Sequence, residues 1–122
     1  MYTQKSNVSD VVQYELHPRY SRKKVLVLVA LAANVGLVLG QVTATGVYVP
    51  FDPAAEDGSE DAKAVLLDNL QGSDDEQPAT ILRRGAGVDI DELIWPDGIT
   101  TGEKTAALAQ LDTLGIEAVD TL

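Results

Sequence analysis

The chain has 122 residues, of which 45% are apolar and 23% are charged, and this length suits a single domain. It contains no cysteine and one histidine, His17, which excludes disulfide frameworks, thiolate zinc sites, cysteine nucleophiles and two-histidine metal centres. The formal net charge of −10 argues against direct nucleic-acid binding, because phosphate backbones favour basic surfaces.

Charge divides the chain into two segments. Residues 1–24 carry a net charge of +3, whereas residues 25–122 carry −13. The first segment is polar and holds too little apolar surface to fold alone, so it is predicted to be an extended N-terminal arm. Such an arm is either a disordered tail or a strand that becomes ordered on a partner's sheet. Residues 25–122 are predicted to form the folded domain.

Residues 25–40 read VLVLVALAANVGLVLG and follow a basic cluster, so a membrane segment has to be considered. As a helix, this stretch would rise only about 24 Å, which is short of the ~30 Å hydrocarbon core. The valine-rich ends and the turn-forming Ala-Ala-Asn-Val-Gly between them favour two strands joined by a turn. No membrane partner is therefore expected. The alternative function is a membrane-anchored or exported β-domain that uses residues 25–40 as its hydrophobic segment.

The following residues are read as short strands between acidic loops. Strands or strand-and-turn segments are predicted over residues 46–50, 62–68, 78–85 and 87–90. An apolar island, Leu93–Pro96, ends in the turn Pro96-Asp97-Gly98. The residue type and spacing thus predict a mainly β domain up to residue 98.

One helix is well defined by its ends. Thr100 and Glu103 have the spacing of a capping box, and Gly115 is a typical residue just beyond a helix C-terminus. Between them, apolar residues recur on one helical face. Residues 116–119 follow as a last strand. The predicted fold class is mainly β with one C-terminal helix.

The sequence offers no recognisable catalytic, cofactor or metal site. His17 lies in the polar arm, and there is no G-x-S-x-G turn and no glycine-rich phosphate loop. The acidic loops lack the ligand spacing of an EF-hand and are read as solvated loops. The chain is therefore not predicted to be an enzyme, and a small β-barrel enzyme or carrier domain is a third hypothesis without a supporting group.

Several motifs follow one another in a distinctive order between residues 20 and 122. They are residues 38–46 (VLGQVTATG), 46–59 (GVYVPFDPAAEDGS), 64–68 (AVLLD), 81–86 (ILRRGA), 93–96 (LIWP) and 114–116 (LGI). In this combination the chain resembles the head decoration proteins of lambda-type tailed phages.

The resemblance implies a β-clip-like fold and a homotrimer on the outside of an expanded icosahedral capsid. In that family the trimers contact neighbouring copies of the major capsid protein and stabilise the head against the pressure of packaged DNA. The protein would then be made in the host cytoplasm and would reside on the outer surface of the virion head, without a cofactor.

The resemblance also implies that the N-terminal arm becomes ordered by pairing with capsid-protein strands, a role that here falls to residues before 25. Composition nominates the side chains: the predicted anchors are Tyr14, Leu16 and Tyr20, and the predicted complementary charges are Arg19, Arg22, Lys23 and Lys24. Trp95 and Pro96 either lie at a subunit contact or close the core, and the core is favoured for Trp95.

Overall fold

The computed structural model describes residues 11–16 and 18–119, with the side chain of Pro18 left out. The described residues form eight strands, two α-helices and one 3-10 turn. In chain order these are β1 (Val12–Glu15), α1 (Pro18–Ser21), β2 (Arg22–Val27), β3 (Val38–Gln41), β4 (Tyr48–Pro50), β5 (Ala64–Leu66), β6 (Gln77–Leu82), β7 (Ala86–Asp89), the 3-10 turn (Ile90–Glu92), α2 (Thr101–Thr113) and β8 (Ile116–Val119).

Five strands close a barrel in the order β2-β4-β3-β5-β6. The longest pairing is antiparallel and joins β2 to β6, from Arg22 opposite Leu82 to Val27 opposite Gln77. On its other edge β2 meets β4 in parallel at Tyr48. The remaining three strands form a separate sheet in the order β1-β7-β8, in which β1 is antiparallel and β8 is parallel to β7.

Strands β3 and β5 bury side chains on both of their faces. Leu39, Leu66 and Ile81 fill the barrel core. Their neighbours Val38 and Leu82 belong to a second, outer core. Because successive residues of a strand point to opposite faces, a strand with both faces buried needs apolar residues at every position. This explains why apolar residues occupy successive positions in these two strands.

The outer core lies between the barrel and the second sheet with its helix. Val88 of β7, Ile116 of β8 and Leu111 of α2 all pack into it. Trp95 packs against the same core, and its ring meets Phe51 edge to face at a centroid distance of 6.2 Å. Aliphatic side chains thus dominate both cores, as expected for a chain with 5% aromatic residues.

The predicted fold class is confirmed: the molecule is mainly β with one long C-terminal helix. The capping box of α2 is present, since the Thr100 hydroxyl accepts from the Glu103 N–H at 3.1 Å and Glu103 Oε1 accepts from the Thr100 N–H at 2.9 Å. Gly115 follows the helix with φ of +81°. The strands predicted at either end of residues 25–40 both exist, but β4 lies between them in the barrel.

Part of the predicted N-terminal arm lies on the domain. Residues 12–15 form β1 against β7, and the predicted boundary at residue 24 falls inside β2. Val11 is fully buried in the outer core, which helps to hold this segment on the domain. Residues 1–10, together with His17, lie outside the described part of the chain.

No helix among the described residues is long and apolar enough to cross a membrane. The residues considered for that role are strand and loop residues instead. Val27, Val29 and Leu39 point into the barrel core.

Candidate functional site

The chain turns from β1 into β2 around Gly85. The Gly85 carbonyl accepts hydrogen bonds from the Leu16 N–H and from the buried Ser21 hydroxyl, both at 2.9 Å. Gly85 has φ of +63°, and a Cβ there would meet Tyr20 Cε2 at 2.5 Å and Leu16 Cδ1 at 3.3 Å. Glycine is therefore required here both by the backbone and by the two side chains that pack on it.

Tyr14 packs on a second glycine, Gly87 of β7. A Cβ at Gly87 would overlap the Tyr14 ring, with Cδ2 at 2.5 Å and Cζ at 2.8 Å. The Tyr14 hydroxyl donates to Glu117 Oε2 on β8 at 3.1 Å. This hydrogen bond to a carboxylate favours the neutral phenol and raises the pKa of Tyr14 above its ordinary value. Tyr14 thus spans β7 and ties β1 to the far strand of the sheet.

A bidentate ion pair closes the turn between β1 and β2. Arg22 Nε lies 2.8 Å from Glu15 Oε2, and Arg22 Nη2 lies 2.7 Å from Glu15 Oε1. Hydrogen bonding to the carboxylate raises the pKa of Arg22 further, so the guanidinium stays charged. Arg22 was predicted as a charge for a partner, and the structure shows it engaged within the chain.

Arg84 holds Tyr20 in place. Its guanidinium carbon lies 4.1 Å from the centroid of the Tyr20 ring, and its Nε donates to the Tyr20 carbonyl at 3.0 Å. Arginine over an aromatic face is a favourable electrostatic contact. Arg84, Gly85 and Gly87 are not among the residues predicted for this surface, because nothing in the sequence indicates that residues 85–87 lie against the tyrosines.

These contacts leave three anchors partly exposed on one surface. The exposed fractions are 46% for Tyr14, 71% for Leu16 and 45% for Tyr20. We name the set Tyr14, Leu16, Tyr20 and Arg84 the tyrosine surface. Exposed apolar side chains that lie together are typical of interaction sites. Because these side chains pack closely on Gly85 and Gly87, contacts within the chain already hold the surface in place.

The other predicted residues lie around or away from this surface. Arg19 is exposed on α1, and Lys23 and Lys24 are exposed at the start of β2. Trp95 lies on the outer core, and Pro96 lines a pocket of about 200 Å³ formed with residues 52–54, 97–99 and 103. The structure therefore brings Tyr14, Leu16 and Tyr20 together and places Trp95 and Pro96 elsewhere. Within the described ranges, no group of acidic or histidine side chains could hold a metal ion.

Comparison with known protein families shows which family the chain belongs to. Residues 1–116 match the family model described as bacteriophage lambda head decoration protein D. The chain belongs to this family. The match includes the whole N-terminal segment, which the ordered motifs did not cover, so the tyrosine surface lies within the family region. No curated protein matches the chain.

Family membership fixes the broad role. Head decoration proteins are structural components of the phage capsid, so the resemblance deduced from the ordered motifs is confirmed.

Proposed function

We propose that the chain binds the outer surface of an expanded phage head as a homotrimer and stabilises the shell against the pressure of packaged DNA. Its partner is the major capsid protein. The observation that carries the proposal is the family match over residues 1–116, with the preorganised tyrosine surface inside the matched region. The net charge of −13 on residues 25–122 suits a domain that faces outward, away from DNA.

The capsid contact is proposed to centre on the tyrosine surface. β1 is an edge strand of its sheet, so one side of its backbone faces away from β7. An extended strand of the capsid protein can add to such an edge through main-chain hydrogen bonds. Tyr14 and Leu16 would then be buried beside it. Tyrosine and arginine are the side chains that most often dominate binding energy.

Positive charge flanks this surface. Arg19, Lys23 and Lys24 are exposed near the turn between β1 and β2. These basic side chains are complementary to an acidic patch on the capsid protein. Residues 1–10 would extend the contact further along the shell. In a trimer, the docking of one copy raises the effective concentration of the other two arms at their sites, so modest single contacts add up to firm attachment.

The test substitutes one exposed leucine at a time. Leu16→Ser removes an anchor that is 71% exposed, and Leu31→Ser is the matched control, because Leu31 is 81% exposed in the loop after β2. Full burial of a leucine side chain contributes about 1.5–3 kcal/mol. Leu16→Ser is therefore expected to weaken attachment of a single copy about tenfold or more.

Binding is measured by co-sedimentation of the purified protein with expanded heads that lack decoration protein. The proposal expects tight binding of the wild type and of Leu31→Ser, and weakened binding of Leu16→Ser. Equal binding of the two variants would show that the tyrosine surface is not part of the capsid contact. Failure of the wild type to bind any expanded head would refute the proposed function itself.

A further inference from the structure

Arg83 places a guanidinium at one end of the barrel. Its backbone N–H donates to the Ser21 carbonyl at 2.8 Å, so the antiparallel pairing of β2 with β6 continues one residue beyond Leu82. Ile81 packs in the barrel core, whereas Leu82 belongs to the outer core. Because side chains alternate between the two faces of a strand, Arg83 lies on the same side as Ile81. The half-buried Arg83 side chain therefore lies at the edge of the barrel core.

The Nε–H group of Arg83 is buried and has no acceptor. Within the described ranges, the guanidinium takes part in no hydrogen bond and no ion pair. Arg22 uses the same atom to donate to Glu15 Oε2 at 2.8 Å. Arg84 uses it to donate to the Tyr20 carbonyl at 3.0 Å. A buried donor on a charged group is costly when it lacks an acceptor, so an acceptor from outside the chain would stabilise Arg83.

Tyr48 of β4 provides a second donor near this guanidinium. Its ring packs against the barrel core, and among residues 11–16 and 18–119 its hydroxyl takes part in no hydrogen bond. Burial raises the pKa of Tyr48, and the positive charge of Arg83 partly opposes this effect. The two groups are therefore close enough to interact electrostatically. Because its pKa is raised, the phenol stays protonated at neutral pH and can donate a hydrogen bond.

We propose that Arg83 and Tyr48 form a binding site for one oxyanion group, a phosphate or a carboxylate. We name this pair of residues the oxyanion site. The Nε edge of a guanidinium carries two N–H groups side by side, which match two oxygens of such a group. Arg22 shows this geometry within the chain, since its Nε and Nη2 lie 2.8 and 2.7 Å from the two carboxylate oxygens of Glu15. At the oxyanion site, the Tyr48 hydroxyl would donate a further hydrogen bond to the bound group.

Two sources can present an oxyanion group to this site. One is a free inorganic anion from solution, and the other is a carboxylate side chain of the capsid protein. Both would be bound by the same donors, so the experiment has one arm on the free protein and one arm on phage heads. The oxyanion site includes no residue of the tyrosine surface, and the first arm does not depend on the proposed function.

The first arm follows arginine Nε–H resonances of the ¹⁵N-labelled protein by NMR, while sodium phosphate or sodium acetate replaces sodium chloride at constant ionic strength. Loss of one resonance in Arg83→Lys assigns the Arg83 signal. The Nε–H groups of Arg22 and Arg84 are internal controls, because both already have acceptors. We expect a saturable shift of the Arg83 signal alone. Tyr48→Phe, which removes only the hydroxyl, should weaken phosphate binding about tenfold.

Absence of a saturable Arg83 shift with both anions would overturn the inference, since a water molecule would then suffice as the acceptor. Equal shifts of all three arginine signals would overturn it as well, because they would report a general effect of the salt. Unchanged phosphate affinity of Tyr48→Phe would remove Tyr48 from the site.

The second arm measures co-sedimentation of Arg83→Gln with expanded heads that lack decoration protein. Lys104→Gln is the control, because it removes the same charge from a half-buried residue of α2. Given a saturable shift in the first arm, equal head binding of the two variants assigns the site to a free anion. Weaker binding of Arg83→Gln assigns it to a capsid carboxylate. Failure of the wild type to bind any head would refute the proposed function and leave the result of the first arm unaffected.

Discussion

Replacing Gly85 by alanine tests whether the N-terminal segment is held by the space that this glycine leaves open. The new Cβ would lie 2.5 Å from Tyr20 Cε2 and 3.3 Å from Leu16 Cδ1, so the Tyr20 ring has to move. In the wild type the Arg84 guanidinium carbon lies 4.1 Å from the centroid of the Tyr20 ring. Movement of the ring would break this contact. The substitution should therefore loosen the tyrosine surface and the turn beneath it.

Gly98→Ala is the matched control, because it separates backbone strain from the clash. Gly98 has φ of +78°, close to the +63° of Gly85, but a Cβ at Gly98 would have no atom within 4 Å. Left-handed backbone at a non-glycine residue costs about 1–2 kcal/mol in either variant. Loss of the cation–π contact adds about 0.5–1 kcal/mol, and the displaced ring adds packing loss. Gly85→Ala should thus be destabilised by about 1 kcal/mol more than Gly98→Ala.

The assay is urea unfolding followed by circular dichroism, with free energies of unfolding compared at a common protein concentration. Tyr20→Ala provides a second check, since the extra effect of Gly85→Ala should shrink in that background if the ring is its cause. Equal destabilisation by Gly85→Ala and Gly98→Ala would refute the reasoning. So would an extra effect that persists without the Tyr20 ring.

Three further predictions concern single hydrogen bonds. Ser21→Ala removes a buried donor to Gly85 and should lower the free energy of unfolding by about 1 kcal/mol in urea; an unchanged midpoint would contradict it. Thr100→Ala removes the N-cap of α2 and should lower the free energy of unfolding by about 1 kcal/mol, which lowers the Tm. Retention of the wild-type Tm would show that the cap does not stabilise the domain. Glu117→Gln should lower the pKa of Tyr14 toward its ordinary value in an ultraviolet titration, because the carboxylate that accepts its hydrogen bond is lost. The raised pKa means that this bond contributes fully below the unfolded-state pKa of Tyr14 and is lost as pH rises through the folded-state value; an unaltered titration would rule out Glu117 as the cause.

The ends of α2 and the strands within residues 25–40 were predictable because residues close together in the sequence determine them. The spacing of Thr100 and Glu103 specified the start of α2, and Gly115 specified its end. The valine-rich ends of residues 25–40 specified strands rather than a helix. The alternation of Val38 and Leu39 between two cores could not be read in advance, since an apolar run is compatible with any structure that buries all of its side chains.

Pairing partners and the N-terminal segment required the tertiary structure. Nothing in the sequence indicates that β4 lies between β2 and β3, because strand order depends on long-range packing. β1 was missed for a related reason. Its residues are polar on average, and its position depends on contacts with Gly87 and Glu117, which are more than 70 residues away in the chain. The tyrosines were selected by composition, but the glycines that position them become visible only in three dimensions.

Strand β2 joins the tyrosine surface to the barrel. Its first residue, Arg22, is paired with Glu15 at the end of β1, beside the tyrosine surface. From Arg22 to Val27 the same strand is paired with β6 in the barrel. The barrel therefore holds the position of the proposed capsid contact before the shell is met. In the proposed trimer, part of the ordering required for multivalent attachment would then already be complete in each folded domain.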